Sequence, residues 1–196
     1  MTTTVSPGHC ARFRALTHDT HDVLDKRIMA YSPFSDRERY AAFLKVQYCF
    51  HRDVAALFDN TSLNTLLPGL KERGRFAAVA QDLKDLGQTL PEPEMPPVFG
   101  EQIDLPTAIG WLYVEEGSNL GGAILFKMAG KLDLSADFGA RHLAPHPEGR
   151  APSWRAFMQQ LDAIELDDKE QQRANNGAEA AFTQVLSYVE RYCPIS

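Results

Sequence analysis

The chain reads as an all-α fold, on three observations. Apolar residues recur at helical spacing over several long stretches. No β-branched run alternates apolar and polar residues between turn pairs. Caps and breakers bracket the periodic stretches, so each has a start and a stop.

The first helix is expected over about residues 10 to 31. Phe13, Thr17, Thr20, Leu24, Ile28 and Tyr31 share one face, and Ser32-Pro33 ends it, because the residue before a proline is driven out of the helical region. The second starts at an S-x-x-E capping box, Ser35 and Glu38, and runs to about Phe58. Its inward stripe is Tyr40, Phe43, Leu44, Gln47, Phe50, His51, Val54 and Phe58. A third helix spans about 71 to 86 and stops at Gly87. Residues 88 to 106 carry five of the twelve prolines (Pro91, Pro93, Pro96, Pro97 and Pro106) and form an extended connection. A fourth helix covers about 105 to 131. Two more begin near Ser153 and at Asp167, the latter with Glu170 placed for a capping box.

At 196 residues, one domain over 1–196 is the expectation, and no internal repeat or low-complexity tract divides it. The 26 acidic side chains against 20 basic ones give a net charge of −6, which argues against nucleic acid or an anionic membrane as partner. No apolar run approaches the roughly 18 residues needed to span a bilayer. The opening MTTTVSPGHCARFR lacks the apolar stretch of a secretory signal. Cys10, Cys49 and Cys193 are too few and too scattered for a disulfide framework, so a reducing cytoplasmic setting is expected.

Chemistry-bearing residues cluster in three places. His21 lies within roughly 60° of Leu24 and Ile28 on the first helix, so its imidazole is expected to point into the apolar stripe. Arg14 lies two turns earlier on the same side, about 10.5 Å away. A core histidine with a hydrogen-bond partner explains His21 alone; a ligand with a metal centre and carboxylate tails explains the pair. Gln47 and His51, one turn apart in an aromatic stripe, must be hydrogen-bonded or pay for their desolvation. The segment Gly110-Trp-Leu-Tyr-Val-Glu-Glu-Gly117-Ser-Asn-Leu-Gly121-Gly122 places Gly117, Gly121 and Gly122 inside a helix, where each costs about 1 kcal/mol relative to alanine. Either a close helix crossing or a flat ligand lying on bare peptide accounts for that cost. His142, with Pro145 and His146 behind it, reads as a surface loop, and Cys49 as a small buried residue.

The stretch Gly110 to Lys127 resembles the distal helix of bacterial haem oxygenases, and His21 in T-H-D-T-H-D-V-L-D resembles their proximal ligand. Phe50-His51, Leu67-Pro68-Gly69-Leu70, Phe138 to Leu143 and the Trp154 segment follow in matching order, so the likeness covers most of the chain.

The resemblance implies a helical fold with haem sandwiched between the first helix and the glycine-rich one, its iron held by His21. Haem is then both cofactor and substrate, cleaved with O2 and electrons to biliverdin, CO and Fe2+. Gly117 and Gly121 would press backbone onto the ring, and Ser118, Asn119, Gln47, His51 and Arg75 would order water for proton delivery. Trp154 and Phe182 would line the pocket. In this pattern Arg14 and Tyr113 anchor the propionates and Met128 cannot, which implies the biliverdin IXα isomer. Ser118 stands where animal members have aspartate, so other groups must organise the water. The electron donor would be a separate ferredoxin or flavoprotein reductase, the protein a cytoplasmic monomer, and its purpose the release of iron from haem. A haem-binding or storage protein that uses His21 without turnover is the alternative. A thiaminase-like hydrolase would need Cys49 as a nucleophile, and a di-iron bundle would need paired E-x-x-H motifs, which are absent.

Overall fold

Seven α-helices carry the chain in this computed structural model, which describes residues 8–195. They are α1 (His9–Ala30), α2 (Arg37–Asp59), α3 (Thr61–Leu66), α4 (Phe76–Asp85), α5 (Leu105–Gly130), α6 (Arg150–Asp162) and α7 (Asp168–Tyr192). Two single 3-10 turns, Lys71–Arg73 and Arg141–Leu143, complete the set, and no strand forms among the described residues. Residues 1–7, the start of the stretch read above as lacking a signal, lie outside the described residues. No described helix is long and apolar enough to cross a membrane.

Local chemistry moved several boundaries. The cap of α2 is Asp36, whose carboxylate accepts from Arg39 N at 2.8 Å, and the Ser35–Glu38 box does not form. An ionised acceptor one residue further on outcompetes the serine hydroxyl for the first free amides. The helix expected from residue 71 is broken: Gly74 is extended at φ −59°, ψ 134°, and α4 begins only at Phe76. The short α3 was not anticipated; Asn60 ends α2 and caps α3 by accepting from Leu63 N. At Asp167 and Glu170 the expected capping box is present in full.

Helix α5 runs through the middle and crosses α7 at near-contact distance. The crossing is possible because two glycines meet there. A Cβ on Gly110 would sit 2.0 Å from Ala174 O, and one on Gly177 would sit 2.4 Å from Thr107 O. Around this crossing Phe13, Val54, Leu57, Ile109, Leu112, Phe157 and Ala178 form the main core. The other side of α2 contributes Tyr40, Phe43 and Leu44 to a second cluster with Val79 and Leu83 of α4. Each of these larger side chains contributes roughly 1.5–3 kcal/mol by leaving water. Helix α1 has no side-chain cap of its own; Asp162, at the end of α6, accepts from Cys10 N at 2.9 Å and fixes where α1 starts. Helix α1 touches α5 at Phe13 and Tyr113, ring centroids 5.1 Å apart, and further along the two helices His21 and Gly121 are both exposed.

Candidate functional site

His21 is placed by a contradiction in the packing of α1. The buried residues of that helix are Cys10, Phe13, Thr17 and Leu24, a stripe at helical spacing into which His21 falls, yet the His21 side chain is 55% exposed. The expectation of an imidazole buried in the apolar stripe is therefore corrected. The face is the inward one, but the protein does not cover it at this turn. Phe182 stands beside the ring, edge-on at 5.9 Å between centroids. Nδ1 lies 3.3 Å from Asp25 Oδ2, one turn along, which orients the ring and leaves Nε2 free.

The glycines of α5 differ in what surrounds them. Gly121 is exposed and an added Cβ would meet nothing within 4 Å, while one on Gly117 would touch only the Trp154 ring edge, at 3.6 Å. Helix packing thus does not account for this pair; the close crossing is made by Gly110. Gly122 is different, since its missing side chain makes room for the Arg150 guanidinium, 2.9 Å from the added Cβ. Leu16, Leu120 and Ile124 are exposed apolar side chains of the same two helices. At the α1 end Tyr113 is wedged between Phe13 and Trp154, with ring centroids at 5.1 and 5.7 Å. Arg14 is exposed, and Met128 is half-buried on α5.

Behind α5 lies a polar layer. His51 is buried and its Nδ1 is 3.4 Å from Glu115 Oε1. Burial, aided by His142 and Arg75, drives the His51 pKa down to about 3, and burial beside Glu116 raises that of Glu115 well above its ordinary value. Both shifts work against the charged forms, so the contact is not an ordinary surface-type ion pair. Neither Glu115 oxygen nor His51 Nδ1 has a hydrogen-bond partner of good geometry. Glu116 accepts from Arg73 Nη1 at 2.7 Å. His142, expected on a surface loop, is buried: Asp82 accepts from its backbone N and from Nδ1, at 3.0 and 2.8 Å. The buried carboxylate draws the loop inward, which the prolines after His142 concealed.

The sequence-derived set is only partly brought together. Gln47 is half-buried, and the neighbour of His51 is Glu115 of α5, not Gln47. Ser118 spends its hydroxyl proton on Glu115 O at 2.6 Å. Arg75 donates to the carbonyls of His142 and Ala144, and it and Asn119 border one cavity beside α5. Trp154 stands against Gly117 and Phe182 against His21. Glu115, Glu116, Arg73 and Asp82 were missed, although two adjacent carboxylates in so apolar a helix were a visible signal. Cys49 is buried, which raises its thiol pKa, and Asp53 one turn on is bound by Tyr188 and Gln184, so no nucleophile is set up there.

Residues 9–191 match a family model described as Heme oxygenase. The heme oxygenase PigA of Pseudomonas aeruginosa is 42% identical over 180 residues, covering 92% of this chain and 90% of that protein. A heme oxygenase of Xanthomonas campestris pv. campestris is 31% identical over 75% of this chain and 86% of its own length. Among solved structures, the NO- and CO-bound heme oxygenase of Neisseria meningitidis superimposes with a TM-score of 0.91 at 40% identity, covering 97% of this chain and 94% of that one.

Proposed function

Since the chain belongs to the haem oxygenase family, we propose that it degrades haem at the opening between α1 and α5, with His21 as the iron ligand. The observation that carries this reading is the exposed His21 in an otherwise buried stripe, opposite a helix whose glycines bare its backbone.

Haem is the substrate, and its iron supplies the redox chemistry with O2. The remaining work falls to side chains of this chain. Asp25 holds His21 Nδ1, so Nε2 is the metal-facing nitrogen. Gly117 and Gly121 let the α5 backbone lie against the porphyrin, where a side chain would hold it away. Phe182 and Trp154 close the sides. Arg14 and Tyr113 anchor the propionates, which favours the IXα isomer of biliverdin. Gln47, His51, Arg75, Ser118 and Asn119 border the route by which water brings protons to the far side of the ring. Because Ser118 donates to its own helix, the water is organised chiefly by the buried groups behind α5.

The protein works as a single-domain cytoplasmic monomer that takes electrons from a ferredoxin or flavoprotein reductase and liberates iron from haem. The test is to reconstitute the protein with haemin and supply ascorbate or a reductase in air. Loss of the Soret band with appearance of a biliverdin spectrum is the expected result; a stable haem complex under the same conditions would instead make it a haem-binding or storage protein.

A further inference from the structure

Beside α5 a cavity of about 200 Å³ is bordered by Arg75, Arg150, His142 and Ala78, with Asn119 and Trp154 also on its lining. Its charge does not balance. Arg73 is paired with Glu116, and Arg141 with Asp82 and Asp85. Arg75 and Arg150, by contrast, have no carboxylate within ion-pair distance among the described residues; both donate to backbone carbonyls of one short segment, Arg75 to His142 and Ala144 and Arg150 to Leu143. The two guanidiniums are therefore gathered on consecutive peptide groups, and burial, then the charge of Arg75, lowers the Arg150 pKa. Glu72, at the rim, is exposed and forms no ion pair among the described residues.

The thirteen-residue α6 starts beside the cavity at Arg150, with Gly149 as its N-cap and no side-chain cap. His142 is buried on the cavity wall and donates Nδ1–H to Asp82, so it brings no positive charge of its own.

We propose that this cavity binds a small oxyanion, a phosphate or a carboxylate, between the guanidiniums of Arg75 and Arg150. Planar guanidinium forks match the spacing of oxyanion oxygens, and the cavity suits a group of that size. Arg150 also donates to Asn119 O at 2.9 Å and occupies the room left by Gly122. The same side chain thus joins the anion to the glycine-rich half of α5, and occupancy stiffens the wall that faces His21.

The full-length, haem-free protein is titrated calorimetrically with inorganic phosphate and, separately, with acetate, at ionic strength held constant by chloride. Saturable binding of one anion per chain is expected, the better of the two identifying the class. Arg150→Gln should weaken it at least tenfold. Ala78→Glu, which places a carboxylate in the cavity wall, should abolish it while raising the melting temperature, and serves if Arg150→Gln folds poorly. Absence of saturable binding for both anions, or equal binding by wild type and both variants, overturns the proposal. No haem turnover enters the measurement, so its failure is separate from failure of the haem-degrading assignment.

Discussion

His51 Nδ1 and Glu115 Oε1 face each other at 3.4 Å in the interior, joining α2 to the glycine-rich helix through two groups whose burial works against their charged forms. Such a pair makes stability depend on pH from both directions. His51 takes up a proton near its ordinary 6.5 when unfolded but only near 3 in the fold. Over that window the unfolded chain binds more protons, so stability falls as pH is lowered. Replacing His51 by Gln should remove this loss. The variant should gain on wild type by up to about 1.4 kcal/mol per pH unit below the ordinary histidine pKa. Urea unfolding on either side of that pKa checks it; a difference independent of pH would contradict the buried neutral imidazole.

Glu115 carries the opposite sign. The folded chain keeps a proton that the unfolded chain releases above the ordinary 4.5, so stability is lost as pH rises from there towards the raised value. Glu115→Gln, uncharged at every pH, should therefore melt higher than wild type at neutral and mildly alkaline pH, with the gap closing in acid. Thermal melts across that range read it out.

His21 and the fold are separable. The side chain is 55% exposed, so His21→Ala should change stability by no more than about 0.5 kcal/mol. The same variant should lose the histidine-ligated haem spectrum and all turnover. An unchanged Soret spectrum in the variant would move the iron ligand elsewhere.

The glycines of α5 should divide into two classes. Gly121→Leu meets no neighbour, so it should fold normally and yet weaken haem uptake and turnover by filling the face opposite His21. Gly110→Ala would drive a methyl into Ala174 O at 2.0 Å and should destabilise by about 3 kcal/mol or more. Denaturation and haemin titration on both variants distinguish packing from contact with the ligand. If Gly121→Leu proved as unstable as Gly110→Ala, the bare-backbone argument would fail.

Product analysis tests the anchoring residues. Chromatography should show biliverdin IXα from the wild type, and Arg14→Ala should yield a mixture, since Tyr113 alone then positions the propionates. A single β or δ isomer from the wild type would remove the argument from Arg14 and Tyr113.

Much of the helical order was legible because it is a local property. The periodic stretches, the Asp167–Glu170 box and the stop at Ser32-Pro33 depend on residues within a turn or two of each other. The misplaced boundaries were contests between neighbours that pattern alone does not rank, such as Asp36 against Ser35. The site was legible where chemistry and spacing coincide, at His21 and the glycines. It was illegible where partners come from distant elements: Glu115 against His51 and Asp82 against His142 are separated by about a third of the chain, and nothing in either local stretch announces the other. Which glycine pair serves packing was equally hidden, because Gly177 lies in another helix.

The meeting of Gly110 with α7 has a mechanical consequence. Backbone against backbone permits neither sliding nor tilting without a collision, so this end of α5 is a clamped root. The far end is held as well, Ala129 being buried in the second core cluster with Leu125 and Phe126 against it, so the span between, which carries Gly117 and Gly121, is where stiffness is low. Bending there changes the gap to α1 while the root, and the core built around it, stays still.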